Sequence, residues 1–565
     1  MTAGEMRAWR LTINGEPALA RLGKSSLTFL LKFRLYSGSA VRYITKISFL
    51  NLGKLWCMGI LPSGGTSSRI MKKAAEQETN TYRIGDMGLN QTHSLKHTLI
   101  GDRAFYKRVI AVLVPIIIQN TVTNVVSLLD NVMVGSVGTI QMSAVAIVNQ
   151  LLFIFNLCIF GGLAGAGIFV VQYAGAGDED GVRHCFRMKG YIAIAMLVIA
   201  CSVFLIFPQQ LISMYLAEGT DAADAAATLQ YGLTYFEIML IGLFPFAVSQ
   251  IYGSTLRELG ETKLPMAASV LAIFVNLVFN YILIFGNEGL PFLPFAPMGV
   301  AGAAIATVIS RFAEAAVLVV FVHVNHLRFP FIKHALRSLR IPLPLCMDIA
   351  KKGAPLLANE FLWSLGTAMM MQCYSVRGLD VVAAFNIAST IQNLFNVVFL
   401  SMGNAVAIII GQHLGADQIE EAKTAVWRLI ALSVATCVVM GSLMALLAPF
   451  VPNIYNTTSD VRRMATEFLY IVSFMMPFFA FTHACYFTLR SGGKTLITMF
   501  FDCGYTWCVS FPVAFCLANF TGMPIIPLYL CVQLLEIIKC GIGFVLLKKG
   551  VWVQNIVRKT EQPAA

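Results

Sequence analysis

Apolar runs of about 20 residues recur from Val109 to the end of the chain, each long enough to cross roughly 30 Å of hydrocarbon as a helix. Charged or Pro/Gly-rich breaks divide them into twelve predicted spans, near 108–134, 142–172, 188–208, 229–255, 265–286, 299–322, 349–374, 383–412, 425–450, 465–489, 496–518 and 524–547. The expected fold class is an all-α polytopic membrane protein. The longest internal connection, 323–348, carries Arg328, Lys333, Arg337 and Arg340 and runs into Lys351 and Lys352. The connection between spans three and four instead carries Glu218, Asp221 and Asp224. Because Lys and Arg stay on the cytoplasmic side, both termini and the central loop are predicted to be cytoplasmic, in a plasma or bacterial inner membrane.

The two halves repeat. Pro115 in AVLVPIIIQN matches Pro355 in KKGAPLLANE at an offset of 240, which also brings Gln172-Tyr173-Ala174-Gly175-Ala176 onto Gln412-His413-Leu414-Gly415-Ala416. Thr255-Leu256-Arg257 and Gly260 recur as Thr488-Leu489-Arg490 and Gly493 at an offset of 233. Six spans per half is an even number, so both halves start on the same side, and an axis along the membrane normal should relate them, with the substrate path between two rocking bundles. The expected layout is a basic extension over 1–100, a six-helix bundle over 101–322, a cytoplasmic linker over 323–348, a second six-helix bundle over 349–550 and a cytoplasmic tail over 551–565.

Composition agrees with this reading. Hydrophobic residues make up 57% of the chain and charged residues 12%, against about 45–50% and about 25% in soluble domains. The net charge of +12 would suggest nucleic acid, but residues 1–100 hold 14 Lys/Arg and 5 Asp/Glu, so most of the excess lies in the extension. No nucleic-acid partner is inferred; the expected surroundings are a lipid bilayer. The 13 cysteines form no CxxC pair and fall mostly inside apolar runs, as Cys158, Cys201, Cys437 and Cys531 do, which points to neither a disulfide framework nor a metal site.

Ionisable residues inside a membrane are functional candidates by default. Asp130 lies in span one with no cation near it in the chain, and Asn120 and Asn124 precede it by ten and six residues on the same helix. A lone buried carboxylate suits a group that binds and releases a proton, while a carboxylate with amide oxygens suits sodium. Glu360 in span seven is the repeat counterpart of Asn120, five residues past Pro355 and near Trp363, a setting fit for an amphipathic cation. His483 in span ten reads as deep in its span and is either a proton carrier or a packing residue. Glu237 and Asp502 are weaker candidates. Arg311 with Glu314, and Glu536 with Lys539, are spaced i,i+3 on one helix face and are predicted to form structural charge pairs.

Other patterns have plainer readings. The stretch Gly161-Gly162-Leu163-Ala164-Gly165-Ala166-Gly167 reads as close helix packing. Gly493-Lys494-Thr495 lacks the first glycine of a phosphate loop, since position 488 is Thr, so no nucleotide cofactor is expected. His93 and His97 lack the glutamate of a zinc helix. No catalytic constellation is present, and the protein is not expected to be an enzyme.

Four segments in order resemble the multidrug and toxic compound extrusion (MATE) family. They are Leu129-Asp130-Asn131-Val132-Met133-Val134-Gly135, Leu256-Arg257-Glu258-Leu259-Gly260-Glu261-Thr262-Lys263, Asn276-Leu277-Val278-Phe279-Asn280-Tyr281-Ile282, and Met298-Gly299-Val300-Ala301-Gly302-Ala303-Ala304. The resemblance implies an antiporter that exports small, cationic molecules while protons or sodium ions enter, with no other cofactor. It places Asp130 at the family's span-one coupling carboxylate and Glu360 at the span-seven glutamate of the NorM-like branch; Asn120, Asn124, Asn276 and Asn280 are the further cation-coupling candidates. Asn280 falls where the DinF-like branch often has an aspartate, and Phe479 where the NorM-like branch has a span-ten aspartate. His483, one turn after Phe479, is therefore a candidate substitute opposite Glu360.

Two rivals are a lipid-linked oligosaccharide flippase, expected to carry more spans and a cationic cavity, and an ion channel, expected to build its pore from several chains. The chain is expected to act as a monomer. Residues 1–70 are expected to be dispensable, with translation starting at Met71 or Met87; the alternative is an amphipathic segment, Leu27 to Leu50, lying on anionic lipid.

Overall fold

The computed structural model describes residues 10–13, 16–19, 99–215, 221–289, 294–335, 337–455 and 457–558, with backbone alone at 10–13, 16–19, 126–129 and 131. Residues Met1–Ser94 and Leu95–Ala565 form two separate units. In the first, strands β1 (Arg10–Ile13) and β2 (Glu16–Leu19) pair antiparallel, Arg10 opposite Leu19. The expectations for Leu27 to Leu50, Met71, Met87, His93 and His97 lie outside the described residues.

The second unit is built from twelve long helices. In the N-terminal half these are α1 (Arg103–Gly135), α2 (Thr139–Ala176), α3 (Glu179–Ile206), α4 (Ala222–Glu258), α5 (Lys263–Gly289) and α6 (Gly299–Val324). In the C-terminal half they are α7 (Leu343–Ser375), α8 (Leu379–Gly415), α9 (Ile419–Leu447), α10 (Ser459–Ser491), α11 (Thr495–Phe520) and α12 (Ile525–Lys548). Among the described residues, eleven are long and apolar enough to cross a membrane. The exception, α7, has 33 residues but includes Asp348, Lys351, Lys352 and Glu360, which lower its mean hydropathy. The twelve helices coincide with the twelve predicted spans to within a few residues at most ends.

Local chemistry sets the helix ends. Asp102 and Asp178 cap α1 and α3 by accepting from the amides of Phe105 and Gly181, at 2.9 and 2.8 Å. α5 breaks its regular turn at Gly286, where φ is 50° and a Cβ would lie 2.8 Å from the carbonyl carbon of Ala296, so only glycine fits. α11 contains two π-helical segments, Phe500–Gly504 and Thr506–Ser510, the first of which holds Asp502.

Each half has its own core. Phe236, Met239, Leu243 and Ile284 are buried in the N-terminal half, and Tyr374, Phe385, Phe468 and Tyr529 form a ring cluster in the C-terminal half with centroids 4.8–6.2 Å apart. Large apolar side chains such as Ile206, Phe244, Phe274, Val439 and Phe474 are exposed, as a lipid-facing surface requires. The connection between halves is pinned to α3. Arg183 donates to the carbonyl of Phe331, Arg187 to those of Ala335, His334 and Arg340, and Tyr191 to that of Leu339. The tail expected from Val551 is partly structural, since Trp552, Ile556 and Val557 are buried against the helices.

Candidate functional site

An even number of crossings per half brings the ends of the described helical unit and the connection between halves to one face, here called the terminal face. The halves meet along α1, α2, α7 and α8. On α1, Val112, Leu113 and Ile116 pack against Met402, Ala405 and Ile408 of α8. The glycines of α2 bring α7 close, as the sequence predicts: a Cβ on Gly165 would lie 2.4 Å from the Cα of Gly353, and one on Gly161 2.9 Å from the Cγ of Glu360.

Nearer the terminal face, the repeat register becomes a reciprocal contact. Gly175 lies under the backbone of Gln412 and Gly415 under that of Gln172, so that a Cβ on either would sit 2.0 or 1.9 Å from the opposing carbonyl oxygen. The two glutamine side chains also act in parallel. Gln172 donates to the carbonyl of Ser491 at 2.9 Å and accepts from the amide of Ile556 at 2.8 Å. Gln412 donates to the carbonyl of Glu258 at 3.1 Å and accepts from Arg108 at 2.9 Å. Ser491 is the repeat counterpart of Glu258, so both halves close this seam in the same way.

Within the N-terminal half, a cavity of about 570 Å³ is lined by Asp130, Thr123, Asn149, Asn276, Asn280, Thr307, Arg311 and Glu314. Asn280 donates to Asp130 at 2.5 Å and to the side-chain oxygen of Asn276 at 3.0 Å, while Asn276 donates to Thr307 at 3.3 Å. Three of the predicted cation-coupling residues therefore meet: Asp130 from α1, and Asn276 and Asn280 one turn apart on α5. Among the described residues Asp130 makes no salt bridge. Asn120 is directed elsewhere, donating across the seam to Ser401 of α8 at 3.1 Å, and Asn124 is exposed outside this cavity.

The predicted pair Arg311–Glu314 does not form. Arg311 lies over the Phe246 ring of α4, 4.9 Å from its centroid, while Glu314 accepts from Ser269 of α5 at 2.5 Å, and no salt bridge joins the two. An i,i+3 spacing leaves side chains about 60° apart around the axis, enough here for each to follow a different neighbouring helix. The second pair does form, with Lys539 3.5 Å from Glu536.

In the C-terminal half, Lys539 also binds Asp502, at 2.9 Å. Asn359 donates to Asp502 and to the Tyr486 hydroxyl at 3.2 and 3.3 Å, Tyr486 donates to Glu360 at 3.4 Å, and Thr482 donates to Glu536 at 2.9 Å. Glu360 thus lies at the seam, joined through Tyr486 to a network of acids centred on Lys539. Trp363, expected beside Glu360, is 43% exposed, and Tyr486 is the aromatic partner. His483 packs against Phe399, Phe487 and Tyr486, with centroids at 5.2, 4.9 and 6.2 Å, and its Nε2 has no hydrogen-bond partner. Glu237 is exposed.

Asp502, a weaker candidate from the sequence, is central to this network, and Asn359 and the paired glutamines join the site without having been candidates. The available signal was the repeat register for Gln172 and Gln412. For Asp502 no signal existed, because its cation stands 37 residues away on another helix.

Two helical bundles related by an internal repeat, each holding a polar cluster and meeting along a shared seam, define a membrane transporter of the two-bundle class. The MatE family model matches residues 115–282 and 355–516, more than half of the chain, and the protein belongs to that family. It is accordingly a multi-pass membrane transporter and not an enzyme. "Probable multidrug resistance protein NorM" of Thermotoga maritima is 22% identical over 465 residues, spanning 81% of this chain and 95% of that relative. The protein of the same name from Bacillus anthracis is 25% identical over 426 residues, 74% of this chain and 89% of its own length. Among solved structures, one described as an outward-facing conformation of a multidrug resistance MATE family transporter of the MOP superfamily aligns with a TM-score of 0.70 at 19% identity, covering 82% of this chain and 98% of that one.

Proposed function

We propose that the protein is a secondary antiporter of the cell membrane, exporting organic cations or drugs in exchange for protons or sodium ions, with both termini cytoplasmic, and acting as a monomer. The observation that carries this reading is Asp130, a carboxylate held by one neutral amide on the wall of a cavity of about 570 Å³. The C-terminal acids Asp502 and Glu536, by contrast, are tied to Lys539. A coupling group must take up and release its ion in every cycle, and an acid without a fixed cation is free to do so. The side-chain oxygen of Asn280 is buried and without a partner, which supplies an oxygen ligand of the kind sodium takes.

Glu360 is the candidate contact for a cationic substrate, because it stands at the seam with an aromatic neighbour. The acidic N-terminal cavity and the twelve spans favour export of cations over the flippase reading, and two bundles in one chain favour it over a channel. The names of the relatives support drugs as the substrate class. Flux in proteoliposomes tests the reading: a proton or sodium gradient imposed on vesicles should drive uphill movement of a fluorescent organic cation, with exchange of the two. Substrate flux indifferent to both gradients would overturn antiport.

A further inference from the structure

We propose that a compact anionic group is held between Arg257 and Arg490, at the seam between the two halves. The two arginines are repeat counterparts at the ends of α4 and α10, and both line a single cavity of about 80 Å³ together with Gln250, Ser254 and Asn404. That volume admits several water-sized bodies, and so a chloride ion or a carboxylate, but no bulky organic ion.

The charges around this cavity do not balance. Glu258 lies on its wall, but its carboxylate is bonded by Lys189 at 2.5 Å. Lys189 is fully buried and directs its other bonds to Ser254 and Thr255, at 2.8 and 3.2 Å. Among the described residues no salt bridge reaches Arg257 or Arg490. The Arg490 guanidinium lies between Phe160 and Phe487, 5.6 and 5.2 Å from their centroids, and its Nη1 is buried with no hydrogen-bond partner. Glu258 and Glu314 act on Arg257, and Glu360 on Arg490, from beyond ion-pair distance, and Arg490 is also hydrogen-bonded to the neutral Tyr486 hydroxyl, which leaves its charge unmatched.

Two guanidinium groups facing one small cavity from symmetric positions repel each other, and leaving such charges unpaired out of water is costly. An anion between them removes both penalties, and the planar forks suit a carboxylate or a halide. The anion has two conceivable sources: a free inorganic ion acting as counter-ion of the closed seam, or the carboxylate of an amphoteric substrate.

Thermal unfolding of the purified full-length protein separates them, with chloride replacing gluconate at constant ionic strength. If the anion is free, wild type gains on the order of 2 °C, saturably in chloride; Arg490→Gln and Arg257→Gln lose the response and Arg490→Lys keeps part of it. If the anion comes from substrate, chloride has no effect, but a carboxylate-bearing organic cation binds wild type at least about tenfold more tightly than its methyl ester, and the difference vanishes in Arg490→Gln. Failure of both responses, or equal responses in wild type and the Gln variants, would overturn the site. Should the Gln variants not fold, bromide soaked into wild-type crystals decides: anomalous density between the two guanidiniums supports the proposal, and its absence together with a null chloride response refutes it. Asp130→Asn should leave the chloride response intact, which keeps this test separate from that of the coupling carboxylate.

Discussion

A single amide separates Asp130 from being wholly unpartnered, and that arrangement gives the sharpest test at the scale of one residue. Asp130→Asn preserves size and can still bond Asn280, so the protein should insert and remain folded while ion-coupled export falls to background. Vesicle flux at the wild-type rate would remove Asp130 from the mechanism. Lys539 presents the opposite case, a cation shared by Asp502 and Glu536. Lys539→Met leaves two acids in apolar surroundings and should destabilise by about 3–5 kcal/mol, whereas adding Asp502→Asn and Glu536→Gln should recover most of that loss in a thermal melt. His483 sits inside a shell of aromatic rings. His483→Ala is expected to lower stability by about 3 kcal/mol, as for other large buried rings, and to leave the pH profile of transport between about pH 5.5 and 7.5 as it was; a flattened profile would make His483 a proton carrier.

For the elements, the spacing of apolar residues was sufficient to locate twelve helices, because a lipid-spanning helix must satisfy its own backbone and so declares its length in the chain. Asn276 and Asn280 were legible only through the family-like segment that contains them; their place one turn apart on α5, with Asn280 donating to Asn276, is what the fold adds. What periodicity cannot supply is the identity of the neighbouring helix. Arg311 and Glu314 share a face yet part toward α4 and α5, and Asp502 looked isolated until α12 brought Lys539 to it. The packing of α2 against α7 and α8 was visible only as a run of small residues. Its consequence is measurable. Gly175→Ala places a methyl group against the Gln412 carbonyl, and overpacking of that kind costs about 1–3 kcal/mol. Closure of the terminal face should become roughly five- to 150-fold less favourable, read as faster labelling of a cysteine introduced at Gln172 or Gln412, with expression unchanged.

At the level of the whole molecule, the transporter forms its own unit from Leu95 onward, and the family match begins at residue 115. A chain starting at Met71 should therefore insert and transport like the full one; loss of membrane localisation on that truncation would favour an anchoring role for the basic segment. The reciprocal seam has a further consequence for how the molecule opens. Each half contributes one glycine and one glutamine to the other, so the two contacts mesh like a pair of gear teeth, and neither can part while its mate stays engaged. Opening is then an all-or-none event with no half-released state to populate. The wedge residues share the reciprocal contact, so a shift that makes room for a methyl group at one also relieves the other, and Gly175→Ala combined with Gly415→Ala should shift the equilibrium by clearly less than the sum of the single changes, the signature of one joint rather than two.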